Sequence, residues 1–159
     1  MINEPIEISE NKNIQNQYII ALILITGFLL SILMFFLLQH GSGVTPDSTI
    51  YMDAAESFMS GKGFKVDGEF MTHYPPFYPI LLAIVGYFTA DILVAAKYLT
   101  SFFYGVNFVL LVTTVFILTK FNKLILITVS IFYVLSLSIL SIHSMAWTEA
   151  PYITFLLLV

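Results

Sequence analysis

Three side chains combine a reactive type with a setting at the border of an apolar layer: Asp47, His73 and Glu149. Asp47 follows Pro46, shortly after the first long apolar run, and a carboxylate there has two uses. It can cap a helix N-terminus by accepting a backbone N–H that would otherwise lack a partner. It can also serve as a general base or electrostatic partner for a reacting hydroxyl, because partial dehydration moves a carboxyl toward the working pH range. Neither use excludes the other. His73 can hold a phosphate when protonated or hydrogen-bond a sugar, and its neighbour Tyr74 is a further substrate-binding candidate. Beside Pro75-Pro76 a plain interfacial hydrogen-bonding role is equally open. Glu149, within Trp147-Thr148-Glu149-Ala150-Pro151, either joins the site or supports a helix start with Thr148 as N-cap and Pro151 in the first turn.

The signatures of soluble enzymes are missing. His143 and Glu149 stand six apart, without the one-turn pairing of a helical zinc site, so no metal is expected. There is no Ser-His-Asp order, no phosphate-cradling GxxxxGKS/T and no dinucleotide GxGxxG, and no cofactor is expected. With no cysteine there is neither a disulfide framework nor a thiol nucleophile. Net charge −4, from six lysines, no arginine and ten acidic residues, has the wrong sign for gathering nucleic-acid phosphates.

The elements that must position these residues lie in a bilayer. The 159 residues are 58% hydrophobic and only 10% charged, which is a membrane composition, and 16% aromatic, which suits long water–lipid boundaries. Uncharged runs at 18–38, 98–119 and 124–142 are each long enough to cross as a helix, the only conformation that pairs every backbone group in lipid. The last two, separated by Lys120-Phe121-Asn122-Lys123, form a tight helical hairpin. The serines at 130, 136, 138 and 141 read as helix-packing groups. Residues 77–90 are too short to span comfortably and read as an interfacial helix. The fold class is therefore an all-α polytopic membrane protein: three complete transmembrane helices, a truncated fourth at 151–159, and a long loop, 39–97. By parity that loop and residues 143–149 share one side. Lysines near helix ends put the polar tail, 1–17, in the cytoplasm and the loop outside.

That loop is patterned. Ile50, Ala54 and Phe58, and Tyr51, Ala55 and Met59, recur at i and i+4 after Pro46-Asp47, and Gly61 suits a left-handed cap. This predicts a short helix lying along the membrane surface. Lys65, Asp67, Gly68 and Glu69 follow as a polar turn, and Pro75, Pro76 and Pro79 stiffen the return to the apolar layer.

A first span, PDSTIYMDAAESFMSGKGF, THYPPFYPILLAI, a hairpin of spans and WTEAPYITFLLL together resemble the start of a GT-C membrane glycosyltransferase. The nearest relatives by this resemblance are bacterial enzymes akin to protein O-mannosyltransferases and aminoarabinose transferases. The matching positions are Asp47, Tyr51, Ala54-Ala55, Gly61-x-Gly63 and Pro75-Pro76-Phe77-Tyr78-Pro79, and the likeness runs from Tyr18 to the end. It implies transfer of a sugar from a polyprenyl-phosphate carrier to a hydroxyl of a lipid, glycan or protein, on the external face of a bacterial inner or plasma membrane. In that scheme Asp47 is the catalytic acid that deprotonates or orients the acceptor, and Glu149 matches a later external acidic residue. The chain departs from the family in having no arginine for the donor phosphate, leaving Lys62, Lys65, Lys97 and His73 as the nearby cations. It also has fewer spans, so it is expected to be the N-terminal part of a larger transferase. The alternative is a small non-catalytic membrane interaction subunit whose loop is an interface. A transporter ranks last, because no charged residue lies in a long span and no inverted repeat is present.

Overall fold

The computed structural model describes residues 4–159, with side chains from residue 14 onward. In chain order these form α1 (Glu4–Leu37), α2 (Pro46–Met59), the strands β1 (Lys65–Val66) and β2 (Glu69–Phe70), α3 (Phe77–Thr89), α4 (Ile92–Leu118), α5 (Lys123–Leu135), α6 (Leu137–Ser144) and α7 (Glu149–Leu158). Two helical stretches, Ile14–Leu37 and Ile92–Leu118, are long and apolar enough to cross a membrane. The pair α5 and α6 supplies a third crossing if taken as one span, although it bends by 53°. Exposed Phe28, Phe36, Leu22 and Leu24 on α1 are what a lipid-facing helix requires and what water would penalise.

α1 and α4 run antiparallel, since Phe35 meets Tyr98 near one end while Gly27 meets Gly105 deeper in. The glycines permit the approach. A Cβ on Gly105 would strike the Gly27 carbonyl and the Ser31 hydroxyl, and one on Gly27 would strike Val109 and lie 2.9 Å from the Gly105 carbonyl. Apolar attraction between helices is weak in lipid, so such small-residue contacts hold them by close packing. Around that crossing, Ile23, Leu30 and Met34 pack with Tyr104, Phe108, Val112 and Tyr133 in one cluster. A second cluster, at the other end of α4, joins Tyr51, Met52 and Ala55 of α2 to Tyr78, Leu82 and Ala83 of α3, Ala95, Ala96 and Leu99 of α4, and Ala150 of α7.

Several sequence expectations change. α4 starts at Ile92, not Tyr98, because Asp91 caps it through bonds from the Leu93 and Val94 amides at 2.8 and 3.2 Å. Lys97 is thereby a helical residue, with its ammonium 3.8 Å from the Phe35 ring centroid. The expected single span 124–142 is broken at Ser136, which ends α5 with extended backbone and N-caps α6 by accepting the Ile139 amide. Ser136 therefore marks the bend, where a helix-packing role was expected, and Ser130 bonds back to the Leu126 carbonyl. The apolar face of α2 is covered by α3 and α4, so the helix spends it on protein contacts where a membrane surface was expected. The polar turn is a two-residue hairpin, with Asp67 and Gly68 at φ 52° and 87° as an Asp-Gly turn prefers. Helix α1 extends back to Glu4, so most of the expected polar tail continues the first helix.

Candidate functional site

The site begins with how α2 is capped. Thr45 is its N-cap: the Thr45 hydroxyl accepts the Ser48 amide at 3.4 Å, and the Ser48 hydroxyl accepts the Thr45 amide at 3.1 Å. This reciprocal pair satisfies two amides at the helix start, with Pro46 in the first turn. Asp47 is thus relieved of the capping use that the sequence left open. Its carboxylate is exposed at the positive end of α2, where Oδ1 accepts the Tyr74 hydroxyl at 3.2 Å.

Tyr51 lies one turn along α2 and forms the centre of an aromatic cluster. Tyr74 and Tyr78 meet it edge to face, with centroids at 5.4 and 5.6 Å. Edge-to-face pairs of this kind contribute about 0.5–1.5 kcal/mol beyond area burial. Burial raises the Tyr51 phenol above the ordinary tyrosine range; the hydroxyl of Thr148 pulls the other way, and the charges of Asp47 and Glu149 add to the rise. The hydrogen bond to Asp47, reinforced by its charge, raises Tyr74. Tyr78 is raised most, chiefly by burial and then by Glu149 and Tyr51. At neutral pH all three phenols keep their protons, and Tyr74 donates its own to Asp47. The Tyr78 hydroxyl is buried and has no protein partner.

Asp47 and Glu149, 102 positions apart, both act on Tyr51 because the segments carrying them are interlocked. Gly43 and Met145 form a parallel bridge: the Gly43 amide donates to the Ser144 carbonyl at 2.7 Å and the Ala146 amide to the Gly43 carbonyl at 2.9 Å. Two residues later the Trp147 indole donates to the Thr45 hydroxyl at 2.9 Å, tying the start of α7 to the cap of α2. A side chain on Gly43 would collide with the Met145 sulfur. The bend at Ser136 brings α6 to this bridge.

Of the residues singled out from sequence, the structure brings Asp47, Tyr74 and Glu149 together around Tyr51. Thr148 occupies the N-cap position of α7 as expected, but its hydroxyl makes no cap bond and lies 3.5 Å from Glu149 Oε2. His73 is exposed in the link between β2 and α3, beside Tyr74, and makes no side-chain hydrogen bond among the described residues. No group of three or more histidine, cysteine or acidic side chains is placed to hold a metal ion among the described residues. Sequence reasoning gave Tyr51 as a helix-face residue and, with Tyr78, as a position of the family resemblance, but assigned neither of them a role in the site. The repeated four-residue spacing of 47 with 51 and of 74 with 78 was the available signal.

Chemically, the cluster offers two exposed carboxylates and the half-buried Tyr74 phenol, backed by the buried Tyr51 and Tyr78, which suits a ligand rich in hydroxyls. No family model matches the chain, and neither a curated protein nor a solved structure matches it, so the functional reading rests on this geometry and on the resemblance.

Proposed function

We propose that the chain belongs to a GT-C-type membrane glycosyltransferase, which moves a sugar from a polyprenyl-phosphate donor to a hydroxyl of a lipid, glycan or protein at the external membrane face. The observation that carries this reading is the Asp47 carboxylate, released from capping by Thr45 and Ser48, at a helix start that the Gly43–Met145 bridge and the Trp147–Thr45 bond tie to the segment carrying Glu149. In the proposed step the acceptor hydroxyl loses its proton to Asp47 as its oxygen bonds the anomeric carbon. The carbon–oxygen bond to phosphate breaks, and polyprenyl phosphate leaves with the electron pair. Tyr74 orients Asp47, Tyr51 and Tyr78 back Tyr74 from the core, and Glu149 hydrogen-bonds sugar or acceptor hydroxyls. His73, next to Tyr74 in the chain and exposed, is a further contact for the donor phosphate or sugar.

Transfer of radiolabelled sugar from a polyprenyl-phosphate donor by the full-length protein in liposomes tests the reading; no transfer to any lipid, glycan or protein acceptor overturns it. Tyr74→Phe leaves Asp47 in place but removes its phenol partner. The expected loss of transfer is about three- to tenfold, with the unfolding midpoint unchanged.

The topology in this proposal has three crossings, with α5 and α6 as one, and places Asp47 and Glu149 in one compartment. Single cysteines at positions 47, 122 and 149 of this cysteine-free chain give a direct readout. An impermeant maleimide should label 47 and 149 from the same side and 122 from the other. Opposite labelling of 47 and 149 removes the shared site.

A further inference from the structure

The join of α5 and α6 leaves backbone groups open at membrane depth. Ser136 has extended backbone, φ −71° and ψ 112°. Among the described residues no hydrogen bond joins the Ser136, Leu137 and Ser138 amides to the carbonyls of residues 132–134, one helical turn back. The substitute is a long cap bond, from the Ile139 amide to the Ser136 hydroxyl at 3.4 Å. α5 has 13 residues from Lys123, so the break lies about 20 Å from that end, well inside a hydrocarbon core of about 30 Å. Lipid pairs none of these groups, and a gap in a helix is not tolerated against lipid at that depth. Water is equally unsuited, because Phe132, Leu135 and Leu137 around the break are apolar and 71%, 71% and 82% exposed. The rest of the bundle lies on the other side, where α5 and α6 bury Tyr133 and His143.

What satisfies both demands is an apolar helix carrying one hydroxyl at the depth of the break. This chain has such a group. Ser138, two residues past Ser136, is exposed, and its hydroxyl makes no hydrogen bond among the described residues. Two copies in one membrane share an orientation, so a two-fold axis along the membrane normal brings each residue to the depth of its counterpart. We propose that two copies of this chain pair across the broken span, the Ser138 hydroxyl of each donating to a free carbonyl beside Ser136 of the other. Phe132, Leu135 and Leu137 pack around the two bonds. The contact uses the same patch on both copies and closes at two. It rests on α5 and α6 making one crossing, which the labelling of positions 122 and 149 tests by itself.

Ser138→Cys in this cysteine-free chain gives a direct readout. In liposomes, copper phenanthroline should link it to a second copy through a disulfide, whereas Phe28→Cys, exposed on α1, should stay unlinked. Single-molecule photobleaching of the chain, labelled at one terminus and diluted into lipid, should count two copies. Ser138→Ala removes both symmetric donors and should weaken the pair about three- to tenfold. Thr26→Ala should leave pairing unchanged, because that hydroxyl is spent on the Leu22 carbonyl of its own helix. Single copies at every dilution overturn the proposal. So does a link from position 138 to a different protein, or pairing that Ser138→Ala leaves at full strength. Ser138→Ala breaks no bond within the fold, so an unfolding midpoint in detergent equal to that of the unaltered chain shows that a loss of pairing is not misfolding.

Discussion

Asp47→Asn should lower sugar transfer by about 10²- to 10⁴-fold, the range over which a positioned general base acts, while leaving the fold intact. The two halves of this expectation have separate physical grounds. Asparagine is nearly isosteric and its side-chain carbonyl still accepts the Tyr74 hydroxyl, but its amide takes no proton from an attacking hydroxyl. The fold is spared because the N-terminus of α2 is capped by Thr45 and Ser48, which the substitution does not touch. Thr45→Ala supplies the contrast. It removes the cap and the acceptor of the Trp147 indole together, and should cost about 1–2 kcal/mol of stability, read as a lower denaturation midpoint in detergent. Turnover of Asp47→Asn equal to that of the unaltered chain would remove Asp47 from the mechanism. A fall in stability as large as that of Thr45→Ala would return it to a structural role.

What the sequence revealed was local. The bounds of α2 were legible because Pro46 and Gly61 are punctuation that works within a turn. In the structure Gly61 adopts φ 71°, and the Gly61 and Lys62 amides reach the Phe58 and Ser57 carbonyls, closing the helix as a left-handed cap should. The hairpin of α4 and α5 was legible for a similar reason, since four residues leave little choice of path. Tertiary contacts decided the remainder. The start of α4 was misplaced because Lys97 was counted as a charge outside the span, whereas its ammonium rests on an aromatic ring across the helix pair. The bend at Ser136 has neither proline nor glycine to announce it.

The candidate site divides along the same line. Asp47 and Glu149 were visible as acidic residues at helix starts after the first and third apolar runs. Their meeting at Tyr51 depends on the bridge between Gly43 and Met145, and no local pattern encodes a bridge across about a hundred residues. Asp47 could not be freed from the capping role on sequence alone either. Thr45, Asp47 and Ser48 are all good N-cap types within four positions, and only the backbone shows which one takes the post.

The largest effect on stability should come from Asn107, well inside α4 and fully buried. Its side chain is saturated. The amide nitrogen donates to His143 Nε2 and to the Ala150 carbonyl, each at 2.9 Å, and the oxygen accepts the Thr154 hydroxyl at 2.6 Å. His143 Nδ1 lies 2.8 Å from the Ile139 carbonyl and must be the protonated nitrogen, which leaves Nε2 as an acceptor with Asn107 its donor. Asn107→Leu keeps roughly the volume but strands that acceptor, because Thr154 and the Ala150 carbonyl retain each other at 3.3 Å while Nε2 has no second partner. The expected cost is about 1–3 kcal/mol. It should appear as a lower unfolding midpoint in detergent and, because α6 and α7 are released from α4, as faster hydrogen exchange around Met145 and Trp147. Adding His143→Phe should restore part of the loss, since an apolar pair leaves nothing unpaired. The cycle of the two single variants and the double variant measures the coupling. Strictly additive losses would mean that the two side chains do not share the bond, and that some other contact holds α6 against α4 and delivers Glu149 to Tyr51.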